Sequence, residues 1–343
     1  MNYEFSKKYQ FKNKIIIVDG QPGCGKTLLS QIISSFEKVE LFNYSFELEF
    51  ALKLHDFEKL SADAAKALCR MFLDHKLYQS IMGRETNFRF KDLSGVFNSP
   101  FPLRYLKRIF QQGDAAASEI LIKEKPILNI ATHDLLSFCK PLFDSLGDRL
   151  YFIEVVRHPL YMLKQQIINM ENLLKNPRDI QLKFTQSNGE EIPYFARGWE
   201  NKFQKSNNVE KAIYSQFYME KRNSEFRKKK ILNENNYLLI PFEKFVLQPE
   251  LFLKKILLNS KTEFSNKTNK ILKKQNVPRK KIEDGMMHAS YLDKGWERSK
   301  SGFTIEEEMN YRRKFIINKG CSTESLELLD NMCEEYLNNH KWY

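Results

Sequence analysis

The chain has 343 residues, of which 42% are hydrophobic, and its formal net charge is +12. This size and composition fit one large α/β domain with insertions. The basic surplus favours anionic ligands such as nucleotides, sulfated or phosphorylated acceptors, acidic glycans or lipid head groups. No RNA- or DNA-binding motif is present, so we expect no nucleic-acid partner.

No apolar run approaches the roughly 20 residues of a membrane span, and residues 1–13 have no apolar core of signal-peptide length. The five cysteines show no C-x-x-C spacing, which is typical of a reduced chain without disulfides or a zinc site. These features predict a cytoplasmic protein without a membrane anchor.

The first predicted strand, residues 14–19, leads directly into a glycine-rich turn and a helix. The turn reads Gly20-Gln21-Pro22-Gly23-Cys24-Gly25-Lys26-Thr27, which is the complete G-x-x-x-x-G-K-T spacing of a phosphate-binding loop. Glycines let successive N–H groups point at an anion, and the N-terminus of the following helix adds partial positive charge. The candidate nucleotide-binding residues here are Gly20, Gly23, Cys24, Gly25, Lys26, Thr27 and Leu28.

Residues 45–125 show mostly helical periodicity and predict an insertion on the acceptor side of the sheet. Within it, residues 83–102 interleave polar and aromatic side chains. This stretch could form an acceptor-binding lip or a solvated connection.

Two further buried strands are predicted at 125–131 and 149–156, and each ends in polar residues. The first ends at Thr132-His133-Asp134 and the second at Arg157-His158-Pro159. Because the carboxyl ends of parallel strands lie at one edge of a sheet, these residues should meet the phosphate loop there.

The remaining chain adds a short strand at 39–44, a helix at 134–145, a possible lid at 174–235, a strand at 237–241, and a C-terminal basic loop with helices at 260–343. Thr304 and Glu307 have the spacing of a capping box at the start of the final helical stretch. Strands that alternate with helices predict an α/β fold with a doubly wound parallel sheet of the P-loop nucleotide-binding type. We expect residues 1–343 to form a single domain.

The order of these motifs resembles the P-loop sulfotransferase family. The resemblance covers about residues 20–304 and comprises a phosphate loop, a Thr-His pair, an R-x-P motif, an aromatic-acidic strand end before a proline-initiated helix, and a K-G…W…F-T segment. In this chain they are residues 20–27, Thr132-His133, Arg157-His158-Pro159, Phe242-Glu243-Lys244-Phe245 with Pro249, and Lys294-Gly295 with Trp296 and Phe303-Thr304.

The resemblance implies sulfuryl transfer from 3′-phosphoadenosine 5′-phosphosulfate (PAPS) to an acceptor hydroxyl or amine. It implies that His133 is the catalytic base and that Arg157 grips the 3′-phosphate with help from Lys294. Gln165 stands where the family has a serine that also holds the 3′-phosphate. Lys26 would stabilise the leaving phosphate.

The loop departs from the family pattern, which usually reads P-K-S-G-T-T. The family's lysine falls on Gly23 and its first threonine on Lys26, while the lysine before Thr-His is Ala131.

Two other functions therefore stay open. The complete G-K-T favours an ATP-dependent kinase, in which Lys26 contacts the β- and γ-phosphates and Thr27 binds Mg²⁺. Asp19 or Asp134 would then lie near the metal. The third possibility is a nucleotide-binding protein without catalysis. The acceptor is expected to be polar, with a glycan among the options, and the oligomeric state does not follow from the sequence.

Overall fold

A central parallel sheet of five strands organises the chain. The computed structural model describes residues 3–111, 113–172, 181–187, 189–282 and 303–342. The strands of the sheet are β1 Ile15–Asp19, β2 Asn43–Tyr44, β3 Leu128–Ala131, β4 Leu150–Val156 and β7 Tyr237–Pro241, in the spatial order β2-β3-β1-β4-β7. A two-stranded antiparallel sheet contains β5 Lys183–Thr185 and β6 Glu191–Pro193. The predicted α/β fold with a parallel sheet is confirmed.

Helices cover both faces of the sheet, which is why its strands are apolar on both sides. Ile15 and Ile17 of β1 contribute to one core, whereas Ile16 and Val18 contribute to the other. The helices are α1 Lys26–Ile33, α2 Phe46–Asp56, α3 Ala62–Ile81, α4 Pro102–Arg108, α5 Gly113–Lys123, α6 Lys140–Leu146, α7 Pro159–Asn172, α8 Glu200–Lys205, α9 Asn208–Arg227, α10 Phe242–Leu247, α11 Glu250–Ser260, α12 Thr268–Lys274, α13 Ile305–Asn318 and α14 Thr323–His340.

The two cores place different helices on the two faces. Helices α2, α3, α6 and α9 pack on the first face, and α1, α10 and α11 pack on the second. Strand β1 lies between β3 and β4, so the loop that follows it opens at the point where the winding of the sheet reverses. Ligand crevices of open parallel sheets form at this point.

Two predicted elements are shorter than expected. The strand expected over residues 39–44 is reduced to β2, and Val39 makes an isolated bridge to Ile127. The helix expected over residues 134–145 begins at Lys140, because Asp134 has a left-handed backbone with φ of 49° that a helix cannot contain.

The predicted capping box of the last helical stretch is confirmed, since the side chains of Thr304 and Glu307 each bond the other's backbone N–H. In the described part of the chain, no helix combines the length and apolarity needed to cross a membrane. The division into insertion, lid and C-terminal segment stays a prediction.

A buried ion pair anchors α4 to the sheet edge. Arg108 at the end of α4 donates two hydrogen bonds to Glu40, at 2.7 and 2.8 Å, and both side chains are almost completely buried. Ser80 of α3 donates a third bond to the same carboxylate at 3.0 Å. Burial opposes ionisation of Glu40, but the Arg108 guanidinium outweighs it and holds the pKa of this carboxyl below its usual value.

Replacing Arg108 with Met should lower the free energy of unfolding by about 3–5 kcal/mol, because Glu40 is left buried without its counter-charge. Urea denaturation at neutral pH measures the loss. The Glu40→Leu/Arg108→Met double variant, in which both charges are absent, is the control and should lose much less. If the single and double variants are equally destabilised, the argument from an unpaired charge is wrong.

Candidate functional site

The loop between β1 and α1 has the backbone shape of an anion cradle. Gly23 and Gly25 have φ of 91° and 98°, which favour glycine. A Cβ on Gly25 would lie 2.2 Å from the Phe242 ring, so this position also needs the missing side chain for space. Phe242, which follows β7, therefore supports the loop from behind.

Several N–H groups of the loop are available for a ligand. Within the described part of the chain, those of Gly23, Gly25 and Thr27 have no hydrogen-bond acceptor. They lie at the N-terminus of α1, where the helix dipole favours negative charge. The loop therefore fits the phosphates of a nucleotide.

Lys26 is bound to its own loop. Its ammonium donates to the Gly20 carbonyl oxygen at 2.8 Å and to that of Gln21 at 3.4 Å, and the side chain is buried. Burial opposes the charge, but the surrounding negative groups, including Asp134 and Asp19, raise its pKa above the usual value. A phosphate in the cradle offers this cation a stronger acceptor than a carbonyl.

Cys24 and Leu28 complete the predicted loop residues. Burial raises the pKa of the Cys24 thiol to about 11, so the thiol stays neutral and fills space inside the loop. Leu28 packs against the second core. Neither side chain offers a charge to a ligand.

Asp19, at the end of β1, fixes the end of β3. Its fully buried carboxylate accepts a hydrogen bond from the Thr132 hydroxyl at 2.8 Å and others from the backbone N–H groups of Leu135 and Leu136. Both oxygens of the carboxylate accept hydrogen bonds within the protein, so the geometry does not support a position of Asp19 beside a metal.

Asp134 faces the loop from the end of β3. Its N–H donates to the Gly20 oxygen at 3.4 Å, the same oxygen that Lys26 bonds. Its Oδ1 atom is buried and accepts no hydrogen bond from the described residues. Burial, followed by the nearby negative charge of Asp19, raises the pKa of the Asp134 carboxyl to about 7.

His133 is held by a carboxylate on α2. Oε1 of Glu49 lies 3.0 Å from Nδ1 of His133 and also accepts the His133 N–H at 3.2 Å. Lys53 donates to the other oxygen of Glu49 at 3.0 Å. Burial opposes ionisation of Glu49, but Lys53 and His133 outweigh it and lower the pKa of this carboxyl.

An ionised carboxylate only accepts hydrogen bonds, so Nδ1 of His133 carries the hydrogen. In the neutral ring Nε2 is then the proton acceptor. The ring stacks on Tyr44 and Phe46, with centroid distances of 5.6 and 5.8 Å. One third of the side chain stays exposed, so a ligand can reach it.

Arg157, after β4, contacts the opposite side of the loop. It donates to the Gly23 carbonyl at 3.0 Å, and its guanidinium lies 4.6 Å from the centre of the Phe242 ring. Its Nε is 3.9 Å from the carboxylate of Glu243, so the two side chains form an ion pair behind the loop. Burial raises the pKa of Glu243, although Arg157 acts in the opposite direction.

The residues after Arg157 approach the loop through α7. Gln165 lies beside Gly23, since its Oε1 would be 3.4 Å from a Cβ at that position. The neighbouring Gln166, which the motifs did not single out, donates to the Pro22 carbonyl at 3.0 Å. Lys294 lies outside the described residues.

A cleft adjoins the loop on the first face of the sheet, between β4, α9 and α14. Its lining includes Glu154, Glu220 and Glu335. The lining also includes Gly20 and Arg157 of the candidate nucleotide site, and Arg227 pairs with both Glu154 and Glu220. The cleft is therefore continuous with the phosphate loop at its Arg157 end.

The structure thus brings Lys26, His133 and Arg157 to one edge of the sheet, as the sequence predicted. It adds Glu49, Lys53 and the rings of Tyr44, Phe46 and Phe242, which the motifs did not indicate. A signal for the first two was available, because Glu49 and Lys53 have the i, i+4 spacing of a helical ion pair.

No protein-family model matches the chain, and a search of curated proteins found no match. Three solved structures align with most of this chain. The sulfotransferase domain of the Synechococcus PCC 7002 olefin synthase aligns over 96% of this chain and 98% of its own, with 13% identity and a TM-score of 0.44. The sulfotransferase domain from the curacin biosynthetic pathway aligns over 93% and 97%, with 13% identity and a TM-score of 0.46.

A sulfotransferase from Mycobacterium avium aligns over 96% of this chain and 78% of its own, with 12% identity and a TM-score of 0.41. These proteins carry the name of the family that the sequence resembles.

Replacing Asp134 with Asn should flatten the pH dependence of stability. A carboxyl whose pKa is raised on folding stabilises the folded state below its unfolded pKa, and this contribution is lost as pH rises towards about 7. The free energy of unfolding of the variant, relative to that of the natural protein, should therefore be about 2–3 kcal/mol more favourable to folding at pH 8 than at pH 5. Asparagine also tolerates the left-handed backbone.

Urea denaturation at the two pH values measures this difference. Asp148→Asn, at an exposed turn, is the matched control and should show no such gain. An equal pH dependence for Asp134→Asn and the natural protein would contradict the assignment.

Proposed function

We propose that this protein is a transferase that moves a sulfuryl group from PAPS to an acceptor hydroxyl or amine. The observation that carries the proposal is the Glu49–His133 pair beside the phosphate loop. A histidine with a free Nε2, oriented by a carboxylate, is a general base for an attacking hydroxyl. The motif order that resembles sulfotransferases supports the same reaction.

The chain's own groups divide the work between the donor and the acceptor. The N–H groups of Gly23, Gly25 and Thr27 and the Lys26 ammonium hold the 5′-phosphate, and Arg157 holds the 3′-phosphate. The donor supplies the sulfuryl group. His133 accepts the proton of the acceptor through Nε2, and the resulting imidazolium is stabilised by the ionised Glu49.

Lys26 has a second task at the end of the reaction. The bond between sulfur and the phosphate oxygen breaks as the bond to the acceptor oxygen or nitrogen forms, and negative charge collects on the departing phosphate. An ammonium at this oxygen lowers the energy of the transition state.

ATP with Mg²⁺ is the alternative donor, favoured by the complete G-K-T of the loop. Thr27 would bind the metal and Lys26 the terminal phosphates. The geometry of Asp19 weighs against it, because this carboxylate is committed to Thr132 and the backbone. A nucleotide-binding protein without catalysis is the remaining alternative.

Thermal melting with two ligands separates these functions. Adenosine 3′,5′-bisphosphate without metal should raise the melting temperature, with about 2.7 kcal/mol of stabilisation at 100 times its dissociation constant. The Arg157→Gln substitution should weaken binding of the bisphosphate much more than it weakens binding of adenosine 5′-phosphate. Stabilisation by ATP–Mg²⁺ and not by the bisphosphate would contradict the sulfuryl-transfer proposal. If Arg157→Gln loses equal affinity for both adenosine ligands, Arg157 does not bind the 3′-phosphate.

Removal of the base should affect turnover and not donor binding. His133→Ala is expected to reduce kcat about 10²–10⁴-fold, because the acceptor proton loses its general base. Glu49→Gln should reduce kcat less, since the ring keeps a hydrogen-bond partner but loses the counter-charge. The assay is transfer from radiolabelled PAPS to a panel of hydroxyl and amine acceptors, with bisphosphate affinity as the control that should stay unchanged.

A further inference from the structure

The segment between α3 and α5 exposes an unusual number of aromatic side chains. Phe90 and Phe110 are 73% and 86% exposed, and Phe88, Phe97 and Leu103 are also exposed. Soluble proteins seldom leave several large apolar side chains exposed together without a binding role. We call residues 84–110 the aromatic-cationic surface.

Three of these rings form a fixed group. Phe90 stacks on Phe97 with centroids 4.2 Å apart, and Phe88 lies 6.3 Å from Phe97. Their loop is braced by Asn98, whose side chain donates to the carbonyls of Phe90 and Asp92 at 2.9 and 2.8 Å. The rings are therefore held outward by a structured loop.

Helix α4 presents a second apolar stripe. Leu103 and Lys107 lie one turn apart on this helix, Phe110 follows in the turn after the helix ends, and all three are exposed. The opposite face is fixed inside the protein by Tyr105, which accepts the Leu41 N–H, and by the buried Arg108–Glu40 pair. The outward stripe has no cover from the described part of the chain.

Cations surround these apolar groups. Residues 84–108 contain six Lys or Arg and two acidic residues. Both acids are engaged, Glu85 with Lys76 at 2.8 Å and Asp92 with Ser94 at 3.1 Å. Arg84, Arg89, Lys91 and Lys107 are exposed among the rings. A surface of this kind complements an anionic partner that also accepts apolar side chains.

The aromatic-cationic surface adjoins the catalytic histidine. Asn43 of β2 donates to Glu85 at 3.4 Å, and the next residue, Tyr44, stacks on His133. From the other side, Gln31 of α1 donates to the Leu93 carbonyl at 3.3 Å. The surface is thus connected directly to both the acceptor side and the helix that follows the phosphate loop.

We propose that the aromatic-cationic surface binds an anionic lipid bilayer and that the acceptor is an amphiphile presented to His133 from it. The assignment of the acceptor rests on the proposed function, whereas the binding to the bilayer does not. Phenylalanine and leucine side chains enter the boundary between head groups and acyl chains, and lysine and arginine stay at the anionic head groups. An acidic protein would satisfy the same cations, and it is a separate outcome of the test.

Vesicle sedimentation of the full chain without nucleotide tests the proposal. The protein should bind vesicles of phosphatidylglycerol mixed with phosphatidylcholine and should bind phosphatidylcholine alone weakly. Phe90→Ser/Phe110→Ser should reduce partitioning about tenfold or more, because two large apolar groups no longer enter the bilayer. Lys91→Glu/Lys107→Glu should abolish the preference for the anionic vesicles, and added salt should act in the same direction.

The matched control is Leu251→Ser/Leu258→Ser, which removes two exposed leucines from α11 on the other face of the sheet. This control should bind vesicles as the natural protein does. All variants should have the melting temperature of the natural protein. Absence of vesicle binding, an unchanged Phe90→Ser/Phe110→Ser variant or an equal loss in the control would overturn the proposal. Binding to polyglutamate but not to vesicles would overturn it in favour of an acidic protein.

Affinity for adenosine 3′,5′-bisphosphate, measured on the same samples without vesicles, keeps this test separate from the proposed function. Intact nucleotide affinity with no vesicle binding rejects the lipid surface alone. Vesicle binding without nucleotide affinity rejects the proposed nucleotide donor and supports the lipid-binding surface.

Discussion

The buried carboxylate of Asp19 is the interaction on which the site depends. It ends β1 and accepts hydrogen bonds from the hydroxyl of Thr132 and from the backbone of Leu135 and Leu136. The bonds turn the chain sharply after β3, and this turn sets His133 and Asp134 beside the phosphate loop. A carboxyl group that the sequence suggests as a metal neighbour thus organises the backbone, and the proposed proton transfer is assigned to His133, which follows β3.

Most of the fold followed from local sequence patterns. Apolar runs predicted β1, β4 and β7 within a residue or two, because strands buried on both faces need no alternation. The errors arose where tertiary contacts decide. Residues 134–139 look helical, but hydrogen bonds to Asp19 hold their start in another conformation. Val39 has strand character, but its backbone reaches β3 in an isolated bridge.

Site residues that belong to one contiguous motif could be predicted from the sequence. Site residues that depend on contact between two distant segments could not. The G-K-T spacing indicates a phosphate cradle without knowledge of the fold. Glu49 could not be linked to His133, because 84 residues separate them and the contact exists only once α2 packs across the end of β3. The role of Phe242 could not be predicted either, because it depends on the packing of its ring against Gly25 in the folded protein.

The bond between Lys26 and the Gly20 carbonyl has a consequence for the pH dependence that we expect of phosphate binding. In the free protein this ammonium is close enough to Asp134 to lower the pKa of the carboxyl, against the larger effect of burial. A phosphate in the cradle draws the ammonium to itself and adds negative charge of its own. Asp134, with a pKa near 7, then binds a proton more tightly. Nucleotide affinity should therefore increase as the solution becomes mildly acidic, and the protein should take up a fraction of a proton for each nucleotide bound.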